Sequence, residues 1–498
     1  MKSEHLNRIM KLLMLPKIAA AFGLVVFTAS LPAQEKPRDI LPHSTVSATN
    51  APPATSAGLV NDWLRSSTFT NLDLGGQFRA RFEHKEHVAI LGESGAADFR
   101  AGGVTTDNTY LLLREKIHLG YAPASWFTAF VEGRDSSSQR DQRDPNPESD
   151  SFDLHQAWVK LGDPKEFPLT VKVGRQELIY GDERLIGAYG WNNLERVFDA
   201  AKVRYENQKL WVDLFGGRVV LPNANTFNEV NDYDWLSGVY ASTLLVPKQT
   251  TELYFLSRNV TAGSTGEITS TTPTGGVTPR DIYTLGLRFK SLPGQLGGWD
   301  YEGELAGQLG DYAVTATSPR LDQEALAAHV AGGYTWTEAW GTPRLGLEYN
   351  YSSGDSSTND SKHETFDNLF PTNHKFYGYM DFFSWENVHD FRVASSLKPL
   401  KQLTLTLDYH AFWLADTHDY FYQVNGIARK TGGYGINPNA GGYVGSEIDL
   451  VATWAATSYA NLQVGYGHFC IGDYVKNSLS ANGSTDADFV YVQMLVNF

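Results

Sequence analysis

The 498-residue chain contains one cysteine, Cys470, so no intramolecular disulfide can staple it. Past the N-terminal region it has no apolar run of the ~18 residues that a membrane helix requires. Basic charge is also scarce: the formal net charge is −15, which argues against a nucleic-acid partner, because that binding draws on basic surfaces. The 13 histidines show no metal-ligand spacing. No motif sets a nucleophile beside a base, so neither metal nor cofactor nor catalytic residue is expected. What remains is a protein that acts without chemistry of its own, provided its location can be read.

The N-terminus supplies the location. Lys2, Arg8, Lys11 and Lys17 precede an apolar stretch, residues 18–31, that ends at Leu31-Pro32-Ala33. A basic start, a short apolar middle and a small residue before a cleavage point predict a signal peptide over 1–33. Residues 34–70 are rich in Pro, Ala, Ser and Thr without periodicity and read as a flexible leader. Residues 71–498 then form one domain.

That domain alternates. In LGGQFRARFE, Leu74, Phe78, Ala80 and Phe82 share one face, with Gln77, Arg79, Arg81 and Glu83 on the other. In QLTLTLDYHAFW, Leu403, Leu405, Leu407, Tyr409 and Trp413 oppose Thr404, Thr406, Asp408 and His410. Period-two alternation is a strand with one apolar and one wet side. About eighteen such segments occur, from 74–84 to 487–498, each near the ~9–11 residues that cross a bilayer at a tilt. Their connections alternate in length. Short ones fall at 122–125, 206–209, 247–250 and 399–402. Long ones fall at 85–109, 136–151, 179–197, 220–234, 261–280, 354–386, 414–445 and 471–486. Sorting of loops by parity predicts an all-β transmembrane antiparallel barrel of about eighteen strands, with long extracellular loops and short periplasmic turns. Val490, Val492, Met494, Val496 and Phe498 share one face of the last strand. A terminal aromatic there resembles the signal read by the barrel-assembly machinery of outer membranes. The expected partners are therefore that machinery and outer-membrane lipid.

Three stretches resemble the alginate export family of outer-membrane porins. They are VGRQELIYGDERLIGAYGWNNLERVFDAAKVRY (173–205), the YNYSSGD…ETFDNLFPTNHKFYGYMD region (349–381) and VGSEIDLVATW…LQVGYGHFCIGDYV (444–475). The resemblance implies an eighteen-stranded barrel passing an anionic polysaccharide through a positively charged constriction, with a periplasmic secretion partner as a further candidate.

The residues themselves give a matching lumen. Alternation points Arg79, Arg81, Arg114, Lys116, Arg134, Lys172, Lys202, Arg204, Arg288, Lys290, Arg344 and Arg392 inward. Glu83, Glu132, Glu302, Glu304, Glu348, Glu447 and Asp449 face the same way. Arg forks hold carboxylates and acids accept sugar hydroxyls; the competing reading is a merely polar, ion-paired interior. The loop 179–197 follows Arg175, carries Asp182, Arg184, Trp191 and Arg196, and is a candidate to fold inward and narrow the channel. Together these residues form the candidate substrate path. Phe366, Phe370, Tyr377 and Tyr379 would stack on sugar faces or pack their own loop. Asp141, Asp144, Glu148 and Asp150 form an acidic loop that reads as solvated rather than Ca²⁺-binding. Cys470 reads as lipid-facing or packing, and Glu115 falls on the apolar face unless a bulge shifts its strand.

The expected function is an outer-membrane channel exporting an alginate-like anionic polysaccharide. An uptake porin for oligosaccharides or small organic acids is the alternative, because a passive pore follows the gradient. An outer-membrane hydrolase would need a Ser/His or acid/His pair at the outer rim, and no motif places one.

Overall fold

The computed structural model describes residues 58–65, 71–89, 97–143, 147–224, 226–261, 278–481 and 483–498. The proposed signal peptide, most of the leader and Asp144 lie outside these. The strands are β1 (Leu72–Glu86), β2 (Asn108–Ala124), β3 (Phe127–Gln139), β4 (Asp150–Leu161), β5 (Leu169–Gln176), β6 (Phe198–Glu206), β7 (Leu210–Leu221), β8 (Glu229–Thr243) and β9 (Gln249–Val260). They continue with β10 (Arg280–Ser291), β11 (Trp299–Ala313), β12 (Arg320–Thr335), β13 (Arg344–Ser352), the two-residue β14 (Lys362–His363), β15 (Val388–Leu400), β16 (Leu403–Leu414), β17 (Tyr443–Ala455), β18 (Ala460–Ile471) and β19 (Ala487–Asn497). Leaving aside β14, which adds to β12 in parallel from within a loop, eighteen antiparallel strands run in chain order, and β1 pairs with β19 to close the barrel. Closure leaves no strand edge to face lipid.

Alternation builds the wall. Ile117, Leu253, Leu285, Leu309, Val330 and Leu347 project outward and are exposed, as lipid contact requires. Exposed Trp126, Trp299, Trp336, Trp340 and Trp454 stand at the short-turn rim, where an aromatic girdle meets the headgroups. The seam is tight: Phe498 and Gly76 exchange both backbone hydrogen bonds at 3.0 Å. A Cβ on Gly76 would lie 2.6 Å from the Phe498 ring, so only glycine lets that ring lie flat.

Two expectations change, and that for Cys470 holds. Part of the leader is helical, α1 (Leu59–Arg65), and Tyr459 donates a 2.6 Å hydrogen bond to Asp62 within it. The β1–β2 register runs unbroken from Leu72 to Lys85, so no bulge rescues Glu115. It stands outward, directly opposite Asp135 of β3, and nothing in the structure explains that pair. Cys470 is half-buried on the outward side of β18.

Candidate functional site

The lumen is crossed by two loops. Segment 177–197 leaves β5, reaches the β10–β13 wall, and returns to β1–β3 before entering β6. On the far side the Asp182 carboxylate meets Arg288 at 2.6 Å and Lys290 at 3.3 Å, and Arg184 meets Glu348 at 2.8 Å. On the return, Arg79 donates to the carbonyls of Gly190 (2.8 Å) and Asn192 (3.2 Å) and to Asn193 Oδ1 (3.0 Å). Arg114 donates to the same two carbonyls at 3.2 Å. Arg81 donates to the Trp191 carbonyl at 2.6 Å and lies 3.7 Å from the centre of that indole. Segment 353–387 packs against the first loop through Gly187 N to Phe370 O (2.9 Å) and Phe370 N to Leu185 O (2.8 Å). Its tip reaches β17, where Met380 N donates to Glu447 at 2.9 Å. Gly378 there has φ +84°, and a Cβ would strike the Glu447 carboxylate at 2.5 Å, so the tip needs glycine to close on the wall.

The two loops carry an apolar core inside the barrel: Leu185, Ile186, Phe366, Leu369, Phe370, Tyr377 and Trp385 are all buried. Phe366, Phe370 and Tyr377 are thus loop packing and not sugar platforms. Tyr379 alone of the four keeps some exposure, stacking on Tyr491 with ring centres 6.3 Å apart. Non-glycine residues with positive φ gather here, among them Glu183, Tyr189, Glu195, Leu369 and Asp381. Such backbone is held only where surrounding contacts over-determine it.

The expected lumen residues divide into two groups. Arg79, Arg81, Arg114, Arg134, Arg184, Arg196 and Arg288 are buried and spent on structure. Arg134 pairs with Asp150 at 2.6 Å, and Arg196 donates to the carbonyls of Gly187 and Pro371 at 3.0 and 2.9 Å. Arg143 takes up Asp141 and Glu148, both at 2.6 Å. Lys116 (3.0 Å) and Arg114 (2.8 Å) converge on Glu195. Burial alone would push Glu195 up, but those two cations overcome it and hold it well below the usual carboxylate range.

The second group lies nearer the short-turn rim and stays accessible. Lys202, Arg204, Lys290 and Arg344 keep 21, 29, 33 and 32% of their side-chain surface, and Arg392 keeps 20% while bridging Glu348 and Asp408. Arg344 pairs with Asp300 at 2.5 Å. Lys160 of β4 stands directly opposite Lys172 of β5, which stands directly opposite Lys202 of β6. Asp213 serves Arg204 at 2.6 Å and Lys202 at 3.4 Å, while Lys160, near Glu206 and Asp163, and Lys172, near Glu177, have these carboxylates only beyond ion-pair distance. Lys160 is a residue the sequence reading missed, although cross-strand register would have found it. Beside this ladder runs an inner row of rings. His118 and Phe130 stack at 5.4 Å, Phe130 and Trp158 at 5.1 Å, and Lys172 Nζ sits 4.0 Å above Trp158.

Arg175 is a correction. The parity that turns Lys172 inward turns Arg175 outward. It pairs there with Asp199 at 2.8 Å and donates to the Asn228 carbonyl at 3.1 Å.

The closed barrel has counterparts. The alginate export family profile matches residues 70–487. The chain belongs to the alginate export family. No curated protein matches it in sequence. Solved structures of similar fold include OccAB4 of Acinetobacter baumannii, with TM-score 0.54, 12% identity, and coverage of 86% of this chain and 98% of that one. Another is OccD3 (OpdP) of Pseudomonas aeruginosa, with TM-score 0.52, 12% identity and coverage of 86% and 91%. A third is OccK2 (OpdF) of Pseudomonas aeruginosa in complex with glucuronate, with TM-score 0.51, 13% identity and coverage of 86% and 98%. This member of the alginate export family is an outer-membrane channel.

Its outer mouth is capped by a contact between two buried carboxyl residues. Asp355 and Asp419, both buried, face each other from segments 353–387 and 415–442, with Asp355 N donating to Asp419 Oδ2 at 2.9 Å. Burial first, then the Asp419 charge with Asp360 and Glu364, raises Asp355 to about 6, and burial likewise raises Asp419. A raised carboxyl contributes stability that is complete below its unfolded pKa of ~3.9 and is lost as pH rises through the folded value. Proteolysis of this cap should therefore quicken as pH rises through about 6, and Asp355→Asn should flatten the profile. A flat wild-type profile would refute the assignment.

Proposed function

We propose that this channel passes a uronate-bearing saccharide, with export of an anionic polysaccharide as its physiological direction. The observation that carries the reading is the ladder Lys160–Lys172–Lys202. Like charges directly opposed across strands destabilise a sheet, so this arrangement favours an anionic occupant. Beside it Phe130, partly exposed and backed by buried His118 and Trp158, offers flat apolar surface to sugar C–H faces. Family membership supports an acidic polymer, and one fold relative is described with bound glucuronate. Family and fold indicate a channel and not a hydrolase.

Planar-bilayer recording tests this. The wild type should prefer anions, and high salt should erode the preference as screening shortens to ~3 Å at 1 M. Uronate oligomers should block at lower concentration than neutral oligomers of equal length. Lys172→Ala with Lys202→Ala should abolish both differences. Equal block by both oligomers, or an unchanged double variant, would overturn the assignment. The two crossing loops favour a second reading, uptake of short acids or oligosaccharides. Block that stops strengthening beyond two or three sugar units would select it.

A further inference from the structure

We infer that Glu132, His155 and Glu177 form a binding site for a divalent cation of the zinc type, which clamps the start of the lumen-crossing loop to the barrel wall. The site is independent of what passes the channel. Its ligands come from β3, β4 and the first residue after β5, so no sequence spacing announces them.

His155 is placed by a bulge. Glu132 stands opposite Gln156 and Gly133 opposite Leu154, so His155 is the extra residue and turns inward where regular alternation would not put it. Bulges re-aim side chains in this way beside functional sites. The imidazole is fully buried, with 0% side-chain exposure, and its Nε2 makes no hydrogen bond. It points among carboxylates, 3.8 Å from Glu132 Oε1 and 3.5 Å from Glu177 Oε1. All three donor atoms lie within 4.8 Å of one another. Two ligands on a tetrahedral ion with bonds of ~2.0–2.2 Å stand ~3.4 Å apart, so small adjustments complete the cage. One nitrogen with carboxylate oxygens suits zinc, whereas calcium takes oxygen alone.

Charge supports an added cation. A third carboxylate, Glu195, lies 3.2 Å from Nε2 but is already matched by Arg114 and Lys116. Glu132 has Lys116 at 3.9 Å and a 3.2 Å hydrogen bond from Gln156, and among the described residues the imidazole is the one basic group within ion-pair distance of Glu177, with Lys116 and Lys172 acting from farther off. Arg134 Nη1 lies 3.2 Å from His155 Nδ1. Arginine only donates, so in the metal-free protein the ring proton sits on Nε2. Cation binding must move that proton from Nε2 to Nδ1, a tautomer exchange within the neutral ring, and leave Arg134 to Asp150, its 2.6 Å partner.

Calorimetric titration of the full chain in detergent with ZnCl₂ tests the site, with MgCl₂ and CaCl₂ as comparisons. A second group, His468, Cys470 and Asp486 at the outer rim, is removed as a competitor by working in a Cys470→Ser background. One Zn²⁺ per chain should bind, and Mg²⁺ and Ca²⁺ should bind far more weakly. His155→Ala should weaken binding at least about tenfold, as loss of a ligand exceeds the ~10–100-fold cost of losing a supporting residue. Glu177→Gln, at a partly open position, should do the same without disturbing the wall, and heat-modifiable gel mobility should confirm that both variants fold. Absence of saturable zinc binding in the Cys470→Ser protein, or unchanged affinity in Glu177→Gln, would overturn the assignment.

Discussion

Replacing Arg79 and Arg114 together with alanine should raise single-channel conductance while leaving anion preference in place. Both guanidiniums are 3% exposed and make five hydrogen bonds to the returning arm of the 177–197 loop. Arg114 also pairs with Glu195 of that arm at 2.8 Å. Hydrogen bonds from a charged donor contribute about 1.5–3 kcal/mol each. Losing even ~3 kcal/mol of this attachment would enrich the released loop about a hundredfold. The arm would then leave the lumen for part of the time, seen as larger and noisier current and as new protease cleavage near Tyr189–Asn193. Selectivity should persist because the accessible charge lies elsewhere, on Lys172, Lys202 and Arg204. A quieter channel of unchanged conductance, or loss of anion preference, would show that these arginines belong to the substrate path and not to the loop.

The alternating pattern was enough to find every wall strand, because a barrel has one wet and one lipid-facing side over its full circumference. It failed at the outer ends. Strand β8 begins at Glu229, six residues before the expected 235, since Asn231, Asp232 and Asp234 are polar on both faces above the lipid and carry no period. Inward orientation of the lumen bases was also legible, except for Arg175, whose parity contradicts its grouping with the others. Which bases remain free was not legible. That depends on Asp150, Glu195 and Asp182, carboxylates brought from other segments by the fold. The aromatic residues of 366–385 posed the same difficulty. Their partners, such as Ile186 beside Phe370, are set by a contact between two loops that no local pattern encodes. The bulge that turns His155 inward left no signal, because one extra residue in a strand of this length is invisible to a period-two reading.

Arg184→Met should be the most destabilising single change in the lumen, and Glu348→Gln should partly rescue it. The Arg184 guanidinium is 2% exposed and reaches Glu348 at 2.8 Å, Asn350 Oδ1 at 3.1 Å, Tyr377 OH at 3.2 Å and His329 at 3.3 Å. It also lies 4.0 Å from the centre of the Phe376 ring. It thereby joins the first loop, the second loop and the β12–β13 wall at one point. Breaking a buried ion pair from one side costs about 3–5 kcal/mol, chiefly because the remaining charge is left uncompensated. Here Glu348 would keep Arg392 at 3.1 Å, which places the cost toward the lower end of that range. Methionine retains the packing of the arginine stem, so lost volume does not explain the effect. Neutralising Glu348 in the same chain removes the orphaned charge, while Arg392 retains Asp408 at 2.6 Å. The double variant should therefore melt above Arg184→Met alone and show a coupling within the ~0.5–3 kcal/mol measured for residues in contact. The readouts are the heat-modifiable gel transition and the current noise of the released loops. Strict additivity of the two substitutions would mean that Arg184 acts through its ring contacts with Phe376 and not through its charge.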